Sequence, residues 1–166
     1  MLAFSTKAGT LSQLQGTLRS ARIAPQVFFT VGKWLADHSE CLDRIRRGLK
    51  DEPWIVRSSC SREDSAEASN AGAFLSRLNV WPWELQKAIE DVIESFGEAQ
   101  PSDEVLVQPM LKNVVRSGVA FSHDPQTSAP YRVVNWAEGG DTTAVTSGIG
   151  GRTWLQAANS VFCATM

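Results

Sequence analysis

The sequence predicts an α+β protein of two lobes, with a mixed helix and strand lobe over residues 1–100 and a strand-rich lobe over residues 101–166. Two observations predict this class. Apolar residues recur at helical spacing in several segments before residue 98, and short β-rich runs separated by Gly, Pro, Asp and Asn follow residue 104. The chain of 166 residues is 43% apolar and 20% charged, which is the composition of a folded protein with one core or two small ones.

The first lobe is predicted to begin with helices and strands in alternation. The segment "TKAGTLSQLQGTLRSARI" has leucines at helical spacing and predicts a helix from about Lys7 to Arg19. An extended segment is expected from Val27 to Phe29, then a helix capped near Thr30 and a further helix that ends at Gly48. The apolar "WIVRS" after it predicts a buried strand.

The segment "VWPWELQKAIEDVIESFGEA" predicts the most regular helix of the chain, because its apolar residues fall on one face and its acids on the other. The corner from Trp81 to Trp83 is expected to start this helix as a packing staple. Strands of the second lobe are expected in four runs, "EVLVQPML", "RSGVAFSHDP", "YRVVNWAEGG" and "TTAVTSGIGG".

Charge and cysteine content limit the classes of function. The formal net charge of −2 is too small to attract nucleic acid or an anionic membrane, so neither is expected as a partner. Cys41, Cys60 and Cys163 are odd in number and widely spaced, which predicts reduced thiols. The sequence has no apolar run of the ~20 residues that a membrane helix needs and no secretory signal pattern, so a cytoplasmic location is expected.

Arg57 is the first candidate functional residue. In "WIVRSSCSREDSAEASNAGAF" a buried strand opens into a serine-rich segment, and a guanidinium beside hydroxyl groups suits a phosphate. An ion pair between Arg57 and Glu63 or Asp64, within a solvated loop, explains the same residues equally simply. The chain contains neither a Walker A motif nor a GxGxxG motif.

Four segments in order carry a resemblance to a known family. The segment "VRSSCSREDSAEASNAGAFLSRLNV" resembles the ATP-binding domain of the phosphoenolpyruvate synthase and pyruvate phosphate dikinase family, and "TKAGTLSQL", "VLVQPML" and "RSGVAFSHDP" fall in that family's order. A short "VTSG" at 145–148 is similar to a further segment. The resemblance implies an ATP-grasp architecture, in which two lobes clasp ATP. It also implies phosphate transfer to a histidine on a separate domain of a longer polypeptide.

The resemblance also implies roles for individual residues. Lys7 and Arg57 would neutralise the ATP phosphates, with Arg57 as the catalytic cation and Ser58 beside it in the same motif. The strand that ends in "QPM" would border the adenine, although plain core packing explains Met110 as well. The complete cofactor-binding set that the resemblance implies is Lys7, Arg57, Ser58, Gln108, Pro109, Met110 and Ser147.

The sequence departs from the family pattern at several positions. Ser5 and Thr6 replace two glycines before the lysine, and Asn70 replaces an aromatic residue. The family's acidic Mg²⁺ ligand and its histidine domain would lie beyond the last residue given, and the spacing of the nearby acids Glu63, Asp64, Glu138 and Asp141 favours a solvated surface over a metal site. We therefore expect ATP and Mg²⁺ as cofactors of a longer enzyme. This chain alone is expected to bind ATP weakly or not at all and to show no turnover.

A different class of function also fits the sequence, namely a non-catalytic binding or regulatory module. Such a module would use a degenerate nucleotide cleft or exposed tryptophan rings that bind sugars or a partner protein. An open sheet edge in the second lobe would also allow pairing with another copy of the chain. The six tryptophans are Trp34, Trp54, Trp81, Trp83, Trp136 and Trp154.

Overall fold

The computed structural model describes residues 5–60, 64–65, 68–69, 75–139, 145 and 151–157. The chain forms two compact units, Met1–Met110 and Leu111–Met166. Helices and antiparallel sheets make up the described residues, so the predicted mixed α/β class is confirmed. Within the described ranges, no helix is both long enough and apolar enough to cross a membrane.

The described residues of the first unit form four helices, a four-stranded antiparallel sheet and a separate two-stranded ribbon. In the large sheet the strand order is β1-β6-β2-β5, and β3 pairs with β4 in the ribbon. In chain order the elements are α1 (Lys7–Leu14), β1 (Val27–Thr30), α2 (Val31–Ala36), α3 (His38–Gly48), β2 (Trp54–Ser59), β3 (Asp64–Ser65), β4 (Ala68–Ser69), β5 (Ser76–Val80), α4 (Leu85–Glu94) and β6 (Glu104–Pro109).

The core of the first unit lies between one face of this sheet and the helices α2, α3 and α4. The predicted apolar face of α4 is confirmed, since Leu85, Ile89 and Val92 are fully buried. They belong to the same buried cluster as Trp54 and Val56 of β2. Each such side chain contributes about 1.5 to 3 kcal/mol through its removal from water, which makes this packing the main source of stability in the unit.

The start of α2 agrees with the sequence, whereas the end of α1 does not. The Thr30 hydroxyl accepts the backbone N–H of Lys33 at 3.1 Å and caps α2 as predicted. The first helix was predicted to continue to Arg19 but ends at Leu14. Gly16 adopts a φ of +83°, a left-handed conformation that an α-helix cannot include, so the helix stops before it.

The strand β6 belongs to the first compact unit, which extends to Met110. It pairs with β1, where Val107 lies opposite Val27, and with β2, where Val107 lies opposite Val56. A central strand with two neighbours cannot be separated from its sheet. The strand predicted to border the adenine therefore lies in the same unit as Lys7 and Arg57.

The second unit contains a three-stranded antiparallel sheet in the order β7-β8-β9. Its strands are β7 (Arg116–Phe121), β8 (Tyr131–Glu138) and β9 (Arg152–Ala157). The first two were expected, but β9 was not. The fourth predicted run, at 142–151, lies largely outside the described residues.

Candidate functional site

The first sheet has two different faces, and the alternation of side chains along β2 separates them. Trp54 and Val56 point into the helical core, together with Ser58, which is only 1% exposed. Arg57 therefore projects from the opposite face. This face, called the Arg57 face here, is formed by Ile55, Arg57 and Ser59 of β2 and by Glu104, Leu106 and Gln108 of β6.

Arg57 is held in the middle of the Arg57 face. It lies opposite Leu106 on one neighbouring strand and opposite Ser76 on the other. The residue is partly buried, and its buried Nε atom has no hydrogen-bond partner in the described part of the chain. A buried donor of this kind typically costs about 1 to 3 kcal/mol unless an acceptor reaches it. The side chains of Glu63 and Asp64, the two acids predicted as alternative partners of Arg57, lie outside that part.

The helix α1 lies against the Arg57 face. The backbone N–H of Ala8 donates to the Ser59 hydroxyl at 2.8 Å, and the Gln26 side-chain amide donates to the Ala8 carbonyl at 3.1 Å. Ala8 is the only buried residue of the helix. Polar contacts therefore hold the first turn of α1 against the sheet.

Lys7 reaches the end of β2 from the first turn of α1. Its Nζ donates to the Ser58 carbonyl at 3.3 Å, one residue along the strand from Arg57. The two cations that the sequence predicted are thus brought to neighbouring positions of one sheet. Ser58 contributes its backbone carbonyl to this arrangement, whereas its side chain points to the core on the other face.

The backbone amides at the start of α1 are already hydrogen-bonded within the chain. The Gly9 N–H donates to the Thr6 hydroxyl at 3.1 Å, and the Thr10 N–H donates to the Thr6 carbonyl at 2.8 Å. With Ala8 bound to Ser59, these amides do not serve as an anion site. The side chains of Lys7 and Arg57 are therefore the groups that can bind an anion here.

Two residues of this site were missed by sequence reasoning, Ser59 and Glu104. One carboxylate oxygen of Glu104 accepts the Thr6 hydroxyl at 2.6 Å and the Ser59 hydroxyl at 3.4 Å. Glu104 and Ser59 lie directly opposite each other on β6 and β2. The pairing of these two strands was the missing information, since neither residue belongs to the motif of the other.

The residues predicted to border the adenine have different surroundings. Gln108 is buried on the Arg57 face, opposite Ile55. The Met110 N–H donates to the Pro53 carbonyl at 2.9 Å, so this amide is already engaged within the chain. Ser147 lies outside the described residues.

The acidic residues do not form a metal centre in the described part of the chain. No group of three or more His, Cys, Asp or Glu side chains lies close enough there to hold a metal ion. Glu138 instead forms an exposed ion pair with Arg116 at 3.5 Å. Asp141 lies outside the described residues. The cations Lys7 and Arg57 therefore suit the phosphates of a nucleotide, whereas the described acids form no cluster for a metal ion.

The tryptophans have different surroundings within each unit. Trp34 and Trp54 are buried in the core as the packing interpretation predicts. Trp81 and Trp83 stack on each other with ring centroids 5.6 Å apart, and Trp83 is 77% exposed, so the predicted staple is wrong. In the second unit Trp136 lies next to the guanidinium groups of two arginines, Arg116 at 5.1 Å and Arg152 at 5.0 Å.

The fold and this pair of cations are consistent with a nucleotide-binding domain. Residues 36–150 match the family described as "Pyruvate phosphate dikinase, AMP/ATP-binding domain". The chain belongs to this family, which confirms the pyruvate phosphate dikinase part of the predicted resemblance and supports ATP as its nucleotide. The matched segment includes Arg57 and β6 and begins after Lys7.

Two solved structures are similar to the chain. A crystal structure of PH1788 from Pyrococcus horikoshii Ot3 is 17% identical, with a TM-score of 0.49 over 93% of this chain and 57% of that one. The second is the dinucleotide-forming acetyl-coenzyme A synthetase 1 of Ca. Korarchaeum cryptofilum, in complex with coenzyme A, Ca-AMPCP and HgCl+. It is 17% identical, with a TM-score of 0.47 over 84% of this chain and 55% of that one. The chain thus spans little more than half the length of these proteins. No curated protein matches it.

Proposed function

We propose that the chain is the ATP-binding part of a phosphotransferase, in which Arg57 and Lys7 bind the nucleotide phosphates. The observation that carries this proposal is the buried Nε of Arg57, which has no hydrogen-bond partner among the described residues. It lies on the sheet face against which α1 presents Lys7. A phosphate oxygen would supply the acceptor that this donor lacks.

The two cations would perform different tasks. Arg57 is fixed in a central strand, so its planar guanidinium would bind and orient two oxygens without a large loss of side-chain freedom. The Lys7 ammonium lies 3.3 Å from the Ser58 carbonyl, at the end of a long flexible side chain that would add a second positive charge beside the phosphates. Bound ATP would supply the phosphoryl group, and the protein would contribute positioning and charge neutralisation.

The remaining parts of the activity follow from the resemblance and extend beyond the described residues. We propose an ATP-grasp architecture of the phosphoenolpyruvate synthase type, with Gln108 to Met110 near the adenine and Ser147 near the phosphates. The phosphate acceptor would be a histidine on another domain of a longer cytoplasmic polypeptide. Among the described residues no group of acids, histidines or cysteines could hold a metal ion, so Mg²⁺ would need ligands elsewhere in the longer polypeptide.

The proposal is tested by calorimetric titration of the folded chain with Mg-ATP and with a non-hydrolysable analogue. We expect Arg57→Ala to weaken binding about 10- to 100-fold, as for the loss of a hydrogen bond between charged groups. The matched control is Arg46→Ala, which removes an exposed arginine paired with Asp43 on α3. Equal binding by wild type and Arg57→Ala, or no binding by wild type, would refute the proposal.

A second candidate is a binding module that uses its exposed tryptophans. The specific observation in its favour is the Trp81–Trp83 stack, because a 77% exposed Trp83 contributes little to the core. Replacing Trp83 with Ala would then leave the unfolding midpoint unchanged and abolish binding of a sugar or protein partner. Nucleotide binding that is equally tight in wild type and in Arg57→Ala would favour this module over the phosphotransferase.

A further inference from the structure

The carboxylate of Glu104 connects α1 to the first sheet. Its Oε2 atom accepts the hydroxyl of Thr6 at 2.6 Å and the hydroxyl of Ser59 at 3.4 Å. We propose that Glu104 is a positioning residue that fixes the first turn of α1 and thereby holds Lys7 beside Arg57. The consequence for nucleotide binding rests on the function proposed above, whereas the positioning of α1 does not.

The contacts lead from Glu104 to both chain neighbours of Lys7. Thr6 precedes Lys7 and caps α1, since its oxygen also accepts the Gly9 N–H. Ala8 follows Lys7, and its N–H donates to the Ser59 hydroxyl at 2.8 Å. Each hydroxyl therefore donates to Glu104 and accepts an amide of α1.

The chemistry of the carboxylate explains why a glutamate suits this position. An ionised carboxylate only accepts hydrogen bonds, so both hydroxyls must direct their protons toward it. Their lone pairs are then available to the Ala8 and Gly9 amides. The negative charge is also favourable near the positive end of a helix.

Apolar packing does little to hold the first turn of α1. Ala8 is the only fully buried residue of this helix, and the half-buried Leu11 and Leu14 lie in its later turns. Gln26 adds a further contact from outside α1, since its side-chain amide donates to the Ala8 carbonyl and to the Ser12 hydroxyl at 2.8 Å. Loss of the Glu104 contacts would free the N-terminal turn, where Lys7 lies.

The negative charge of Glu104 should weaken phosphate binding, whereas its hydrogen bonds to α1 should strengthen it. Variants that remove one or both of these features therefore test the proposal. Glu104→Gln keeps an oxygen that accepts the Thr6 hydroxyl and removes a negative charge near the cations. We therefore expect Glu104→Gln to bind ATP as tightly as wild type or up to about threefold more tightly. Glu104→Ala removes both the charge and the acceptor, and we expect about tenfold weaker binding. Tighter binding by both variants would overturn the proposal, because Glu104 would then act only through its charge.

A double-mutant cycle with Lys7→Ala separates positioning from a general structural effect. If Glu104 acts through Lys7, the Glu104→Ala change weakens ATP binding in the wild-type background and has no further effect in Lys7→Ala. Adenosine, which has no phosphates, should bind all four proteins equally. An equal effect of Glu104→Ala with and without Lys7 would overturn the proposal.

Amide hydrogen exchange tests the positioning without any nucleotide. In Glu104→Ala the exchange of the Ala8 amide should become about tenfold faster, whereas the amides of α4 should keep their protection. Thr6→Val should have the same effect, and Thr6→Ser should restore the wild-type rate. Unchanged exchange at Ala8 would overturn the proposal. Faster exchange in a chain that binds no ATP would support the positioning role and refute only the function proposed above.

Discussion

The Lys7 ammonium nitrogen lies 3.3 Å from the carbonyl oxygen of Ser58, although 51 positions of the chain separate the two residues. This contact places a lysine of the first helix at the strand that carries Arg57. The two cations come from different segments, and only the docking of α1 on the sheet brings them together. The proximity of Lys7 and Arg57 therefore depends on the stability of the first unit.

Truncation of Ile89 should destabilise the first unit strongly. Its side chain is fully buried in the core between α4 and the sheet. We expect Ile89→Ala to lower the free energy of unfolding by about 2 to 5 kcal/mol, through lost burial and the cavity that remains. Urea unfolding followed by circular dichroism measures this change. Leu35→Ala, at a position that is 75% exposed, should change it by less than about 0.5 kcal/mol.

Gly118 should not tolerate a side chain. A Cβ atom at this position would lie 2.4 Å from the Asn135 carbonyl oxygen and 2.9 Å from the Cβ of Trp136, its partner across β7 and β8. Gly118→Val should therefore destabilise the second unit by about 1 to 3 kcal/mol or more. Ala120→Ser, two residues along the same exposed face, is the control. An unchanged thermal midpoint for Gly118→Val would contradict this packing.

Asp124 should titrate below the ordinary range of an aspartate. The backbone N–H of Thr127, then that of Gln126, and the Thr127 hydroxyl all donate to its carboxylate and lower its pKa. Because the folded pKa is the lower one, the stabilisation is complete above about pH 4 and is lost as the pH falls through the folded pKa. Carboxyl-carbon NMR titration should show the low pKa in wild type and a rise in Thr127→Val. Thr127→Ser should return it toward wild type, and a normal pKa in all three would exclude these bonds.

Cys41 should resist alkylation in the folded protein. Its side chain is fully buried, and burial raises the pKa of its thiol, so little reactive thiolate reaches solvent. Pulse labelling with iodoacetamide at pH 8, followed by peptide mass spectrometry, should find Cys41 unmodified in buffer and modified in denaturant. Ile89→Ala, which lowers stability, should speed its labelling. Rapid labelling of the stable wild type would contradict the burial of this residue.

Local patterns were sufficient to predict the helices of the first unit that pack on the core. The apolar face of α4, the Thr30 cap and the end of α3 at Gly48 each depend on residues close in sequence. The predicted length of α1 was wrong. The helical spacing of its leucines continues past Gly16, whereas the positive φ of Gly16 is incompatible with an α-helix. A glycine inside an apolar pattern does not reveal its conformation.

Long-range pairing was the part that the sequence could not supply. The placement of β6 between β1 and β2 puts Glu104 opposite Ser59. The resemblance pointed to Lys7 and Arg57, since each lies in a recognisable segment, but it did not indicate what holds them in place. The contact between Glu104 and Ser59, which are 45 positions apart, can be recognised only when the register of their two strands is known.

The most direct test of the central claim is the dissociation constant of ATP relative to that of adenosine for wild type and for the double variant Lys7→Ala/Arg57→Ala. If both cations bind the phosphates, the double variant should lose about 100-fold or more in ATP affinity and keep its adenosine affinity. Equal losses for both ligands, or an unchanged ATP affinity, would show that these cations do not bind the phosphates.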